Sequence, residues 1–283
     1  MSADVSIVFK PLIFTVLGVF LFSQSGWSKD LFPKEHPQIE SLNFDFYLYD
    51  DLKGEDIEEI IFALEDARSR LLLKYGLDST PRVKVRIWGK WDTWAKENQG
   101  FLALNPGYVG KFDGFNQFSM LKIDSSEKTS SLTEAEHDFR DMMREPSALA
   151  VHEYMHVLTS YLNTYYRDIP RWLFESIACY ESVSDFDLSR FSDDIDYFRQ
   201  PFSEMNKGDN AYILGYSIIK YILGNWGHNS LVKLVQNNGD TNAVLNISQE
   251  NFENGFWKFL HERYFASDAN KTLDDVAQKD ARM

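Results

Sequence analysis

The chain is poor in cysteine: Cys179 is the single one among 283 residues. One thiol can neither close an internal disulfide nor supply a multi-cysteine metal site, so stability rests on a packed core and on any bound metal. Basic residues are the minority, 29 Lys and Arg against 43 Asp and Glu, for a formal charge of −14. Such a field repels phosphate backbones and argues against a nucleic-acid partner. Internal repeats and low-complexity tracts are missing. So are long apolar runs: Pro11–Phe22 falls short of the about 20 residues that a spanning helix takes.

That short run is informative in another way. Lys10 precedes it and the small-residue segment Ser23–Ser28 follows it, the order of a secretory signal peptide over residues 1–28. The expectation is an exported protein, periplasmic or secreted, with an uncleaved N-terminal anchor as the alternative. No cysteine follows the run, which excludes a lipid-modified one there.

What is present is a globular composition, 44% hydrophobic and 15% aromatic, enough for a sizeable core. Alternation predicts strands over Asn43–Tyr49 and Arg82–Trp88. Ile57, Ile60, Ile61, Leu64, Ala67 and Leu71 predict an amphipathic helix over 55–75, stopped at Gly76. Asp92–Asn98 reads as a short helix, Gly107–Gly114 as turn-rich, and Phe115–Asp124 as one or two further strands. Residues 29–40 read as a mobile lead-in. Pro146 and Pro170 each open a helix, to about Tyr161 and Ser182. Asp185–Phe202 is ambiguous between loop and short helix. Further helices are expected near 210–225, 228–237 and 249–264, with breaks at Gly224–Gly227 and Asn237–Gly239. The fold class is α+β: a small N-terminal mixed sheet with helices over 29–125, a mainly helical half over 126–266, an active-site cleft between them, and a polar tail over 267–283.

The chemistry concentrates in His152-Glu153-Tyr154-Met155-His156. Spacing of four places both imidazoles on one helix face, one turn apart, within reach of one metal ion. Zinc suits imidazole nitrogen, and Glu153 lies beside it without being a ligand. Leu149, Met155, Leu158 and Leu162 flank the motif, and a buried imidazole or carboxylate needs a partner. Eighteen residues separate His156 from Glu175, which sits among Trp172, Leu173, Phe174, Ile177 and Ala178 near the start of the next helix. Glu175 is the expected third ligand and Glu181 its rival. His36, His137, His228 and His261 lack ligand spacing and read as surface residues.

H-E-x-x-H followed at this distance by Glu resembles the gluzincin peptidases, the group that contains thermolysin and the aminopeptidase-N relatives. Pro170, Trp172, Glu175, Ala178 and Tyr180 are similar to the second helix of small exported bacterial members. Tyr212-Ile-Leu-Gly215-Tyr216-Ser217 is similar to their Y-x-x-G-Y-S helix. The likeness spans roughly residues 115–265 and implies a zincin-like catalytic half, one zinc ion on His152, His156 and Glu175, and Glu153 as general base. It implies Tyr212 as oxyanion donor, with Tyr216 as rival. It also implies a sheet edge, taken as Phe115–Asp124, along which a peptide or protein substrate pairs. Two positions depart from the pattern: Ser176 stands for glycine, and Cys179 for a frequent acidic residue that can orient a metal-bound imidazole. The leading expectation is a zinc-dependent peptidase. The aminopeptidase branch is disfavoured because no G-x-M-E-N segment is present. A zinc-binding scaffold with little catalysis and a non-peptidase zinc hydrolase are the competing readings.

Overall fold

The computed structural model describes residues 36–103, 108–122, 145–183, 199–207 and 210–265. The expected signal peptide, His137, the acidic stretch over 185–196 and the C-terminal tail lie outside them. Among the described residues no helix is long and apolar enough to cross a membrane.

Five strands form one mixed sheet. β1 (Ile39–Glu40) pairs antiparallel with β2 (Phe44–Leu48). β2, β3 (Val83–Trp88) and β5 (Gln117–Leu121) run parallel, and β4 (Gly110–Gly114) closes the far end antiparallel to β5. Two expectations are corrected here. The turn-rich segment ends in a strand, because Gly110, Lys111 and Phe112 pair with Met120, Ser119 and Phe118. The edge is therefore β4, while residues 117–121 are interior, bonded on both sides. The last residues of the lead-in are also more ordered than expected, since Ile39 and Glu40 register with Phe46 and Asp45.

Alternation along the strands sends Phe44, Phe46, Val83, Val85, Ile87, Phe118 and Met120 into one core. Helix α1 (Glu58–Tyr75), entered through a 3-10 turn at Gly54–Ile57, adds Ile60, Leu64, Ala67 and Leu71 at helical spacing. Gly76 ends it at φ 67°, a left-handed position where glycine carries no Cβ penalty. Trp88 and Leu121 make a smaller cluster with Trp94 of α2 (Trp91–Glu97), which α3 (Gln99–Leu102) follows.

The helical half begins with α4 (Pro146–Leu162), whose first residue is proline, and continues with α5 (Arg171–Ser182), capped by Pro170. After α6 (Phe202–Met205), the span Asn210–Gln236 is one run broken by non-helical Gly227 at φ 76°; its first segment is α7 below. That break falls within the expected Gly224–Gly227. Two shorter helices follow, Thr241–Leu245 and Gln249–Leu260, the second running on into a π-helical turn at His261–Phe265. The apolar core runs without interruption from Phe44 to Leu260, and Tyr154 of α4 packs edge-on against Phe44 of β2 at 5.2 Å. The two halves share one interior, and α4 lies along the sheet beside β4. The architecture is α+β.

Candidate metal centre and active site

Helix α4 is buried over His152–Ser160, so its histidines face protein rather than water. Asn163 anchors its C-terminal end by donating to the Val235 carbonyl and to Asn238 Oδ1. Helix α5 returns beside it, its start fixed by the Trp172 N–H donating to Asn206 Oδ1. The first segment, α7, then packs so closely on α5 that a Cβ at Gly215 would lie 2.8 Å from Ser176 Cα. The glycine of the Tyr212-x-x-Gly215 motif is thus a close-approach residue, and Ser176 is tolerated opposite it.

These packings bring three donor atoms together. Nε2 of His152 and Nε2 of His156 are 3.1 Å apart, and Glu175 Oε2 is 3.3 Å from each. Around a tetrahedral ion with bonds of about 2.0–2.1 Å, neighbouring donors are separated by roughly 3.3 Å. Glu175 Oε2 is buried without a hydrogen-bond partner, and so is Glu153 Oε2. Leaving an ionised oxygen in that state costs several kcal/mol unless something binds it. Two imidazoles and a carboxylate form a set that zinc accepts, with one of its usual four positions left to water or substrate. The residues present fit that ion.

The electrostatics divide the two carboxyl groups. Burial alone would raise Glu175, but the two imidazoles outweigh it and hold the group well below the ordinary carboxylate range. Glu153 is pushed well above that range, first by burial and then by the charges of Glu175 and Asp113. One group stays ionised and the other takes up a proton readily, a division suited to a ligand beside a base. Burial also lowers the His152 imidazole, against the pull of Glu175. Glu153 reaches the sheet edge: a Cβ on Gly110 would overlap its Oε1, so β4 crosses the site at the one residue that admits it.

His156 stacks on Phe174 at 4.1 Å and 7°, and its Nδ1 is buried without a partner. Behind His152 stands Cys179, fully buried, with Sγ 4.0 Å from Nδ1. Burial and the Glu175 charge push that thiol well above its usual range, so it is a neutral and weak partner. Tyr212 lies over His152, rings 5.9 Å apart at 28°. Its phenol is raised well above the normal value by burial and then by Glu175 and Tyr108, which keeps it a neutral O–H donor.

The rivals are engaged elsewhere. Glu181 accepts from Arg70, Lys74 and Tyr75 of α1. Tyr216 packs on Tyr180 at 5.3 Å under Lys220. His36 and His261 are exposed as expected, but His228 is half-buried and donates from Nε2 to the Lys74 carbonyl at 2.6 Å. That correction has a simple cause, since the break at Gly227 turns the following residues onto the end of α1.

Four neighbours escaped the sequence reading. Arg171 donates from Nη2 to Tyr108 Oη at 2.6 Å and lies 3.5 Å from Tyr212 Oη, with Nε 3.8 Å from Glu175 Oε1. Its position one turn before Glu175 was a usable signal. Tyr108, Gly110 and Phe112 depend on the register of β4, which carries no local mark.

No family model matches the chain, and no curated protein matches it either.

Proposed function

We propose that the chain is an exported, zinc-dependent peptidase of the gluzincin kind, acting on a peptide or protein substrate. The observation that carries the reading is the triangle of His152, His156 and Glu175 donor atoms at 3.1–3.3 Å, with Glu153 beside it and abutting a sheet edge. When bound, zinc supplies Lewis-acid polarisation of a carbonyl and acidifies water. His152, His156 and Glu175 would hold it.

The remaining work falls to the protein. β4 offers backbone groups along its outer edge, against which a substrate chain aligns as an added strand. Glu153 takes a proton from the attacking water at Oε2, the oxygen without a protein partner, and delivers it to the leaving nitrogen. One water is consumed, the C–N bond breaks, and the base is restored. Tyr212, held neutral, donates to the carbonyl oxygen as negative charge develops there. Phe112 and Phe174 wall the His156 side and keep that flank dry.

The second reading, a zinc-binding protein with little catalysis, is favoured by one feature. A thiol rather than a carboxylate backs His152, and His156 Nδ1 has no support at all, whereas such partners typically matter 10–100-fold. Metal analysis with cleavage of a mixed peptide library by wild type and Glu153→Gln decides. Zinc retained by both proteins, with cleavage lost by about 100-fold or more in the variant, supports the peptidase. Equal cleavage by both proteins, or none by either, refutes it.

A further inference from the structure

Strand β4 presents different residues on its two faces. Gly110 and Phe112 face the candidate metal site, the first against Glu153 and the second with its ring 6.1 Å from His156. Lys111 and Asp113 alternate to the opposite face, where Asp113 pairs with Lys111 at 2.7 Å and with Arg86 at 2.9 Å. Pairing with β5 then slips between Phe112 and Gly114, and Gly114 takes φ 114°. A bulge of this kind re-aims the side chains beyond it. Phe115 thereby joins Phe112 on one side. Both meet the Tyr166 ring edge-on, Phe112 at 5.3 Å and Phe115 at 5.5 Å. Phe174 links the group to the site, 6.2 Å from Phe112 and stacked on His156 at 4.1 Å.

These rings do not close into a core. Phe115 is 48% exposed, and Phe112, Tyr166 and Phe174 are only partly covered. Apolar area left open in a group, beside a reactive centre, is a surface for an apolar guest. Arg167 rims the group 5.9 Å from the Tyr166 ring, a contact that such a guest does not have to break.

Topology gives the direction. A peptide lying antiparallel along β4, the stronger of the two pairings, runs its N-terminal part toward Gly114. With the cleaved bond opposite Gly110, beside Glu153, the residue opposite Phe112 lies two positions upstream, about 7 Å away at strand rise. Directly opposed residues share a face, so its side chain turns toward the Phe112 ring.

We infer that Phe112, Phe115 and Tyr166 form a subsite for a large apolar side chain on the N-terminal side of the cleaved bond. This rests on the peptidase reading and names its substrate class: peptides with an aromatic or large aliphatic residue within about three positions upstream of the cut.

The test is digestion of a random-sequence peptide library by the zinc-loaded protein, with the products sequenced by mass spectrometry so that every cut is placed. Aromatic and large aliphatic residues should be enriched about 10-fold over alanine at one upstream position. That enrichment should fall to about threefold or less in Phe115→Ala and persist in Phe115→Trp. Phe62→Ala, which removes an exposed ring from α1, should leave it unchanged. Enrichment is a ratio within each protein, so loss of folded material cancels from it. Cleavage that depends on Glu153 but shows no upstream enrichment, enrichment only downstream, or enrichment unchanged in Phe115→Ala overturns the inference and leaves the peptidase reading intact. Cleavage that is absent or independent of Glu153 refutes the peptidase reading itself, and the subsite with it.

Discussion

Helix α5 carries two buried glutamates at similar depth, Glu175 at 8% exposure and Glu181 at 6%, in opposite surroundings. Glu181 takes Lys74 Nζ at 2.6 Å, Arg70 Nη1 at 2.8 Å and Tyr75 Oη at 2.8 Å, all from α1. Its charge is neutralised within the fold, and it ties α1 to α5. Glu175 keeps one oxygen without a hydrogen-bond partner, facing two imidazole nitrogens, while Arg171 approaches the other at 3.8 Å. A carboxylate used for stability is enclosed by its counter-charges. One that keeps an oxygen free of hydrogen bonds, with a single cation at 3.8 Å on the other, is pre-positioned and incomplete, and it is the incomplete one that marks a site.

Neutralising each in turn tests that difference. Glu175→Gln is expected to lower zinc affinity by on the order of a thousandfold or more, read by competition with a chromophoric chelator. In excess chelator the same variant should melt slightly below wild type, because the imidazoles and Arg171 that hold Glu175 ionised lose its charge. Zinc at about a thousand times its Kd should stabilise wild type by about 4 kcal/mol, and the variant far less. Wild-type affinity in the variant would remove Glu175 from the ligand set.

The opposite change, Glu181→Ala, strands two cations and a phenol at the α1–α5 contact. It is expected to lower stability by about 3 kcal/mol in denaturant titration, at the lower end for a broken buried pair since Arg70 and Lys74 are partly exposed. Zinc per folded chain should stay at wild-type level. A loss of zinc without a loss of stability would invert the assignments of the two residues.

The smallest effect sharpens the comparison with a third carboxylate satisfied by neutral donors. Glu65 accepts from the Ser41 hydroxyl at 2.6 Å and from the Asn43 N–H and amide at 2.8 and 2.6 Å. Burial acts to raise it, but these hydrogen bonds prevail and its pKa is lowered from 4.5. A depressed folded value contributes stability that is full above the unfolded value near 4.5 and is lost as pH falls through the folded one. Glu65→Gln should therefore lower stability by about 1 kcal/mol or less at neutral pH, after solvent screening. That gap should close in acid. A gap constant from pH 7 to pH 2 would show that ionisation plays no part.

Much of the molecule was legible in its residues, for identifiable reasons. Prolines at 146 and 170 and glycines at 76 and 227 mark element ends because their backbone preferences act locally. β4 was missed because its pairing residues include two glycines and no alternating apolar run, so its strand character comes from β5. His228 was misplaced because the burial of a polar ring depends on what lies opposite, here the end of α1.

By itself the sequence determined that His152 and His156 share one helix face with Glu153 next to the first, since the period of a helix is a property of the backbone and holds wherever the helix lies. It also narrowed the third donor to two glutamates of α5. Which of the two meets the imidazoles, that Gly215 lets α7 carry Tyr212 onto His152, and that Gly110 and Arg171 border the same spot were decided only by tertiary structure. Those contacts join residues far apart in the chain, and their geometry is set by how α4, α5, α7 and the sheet bury their apolar faces together.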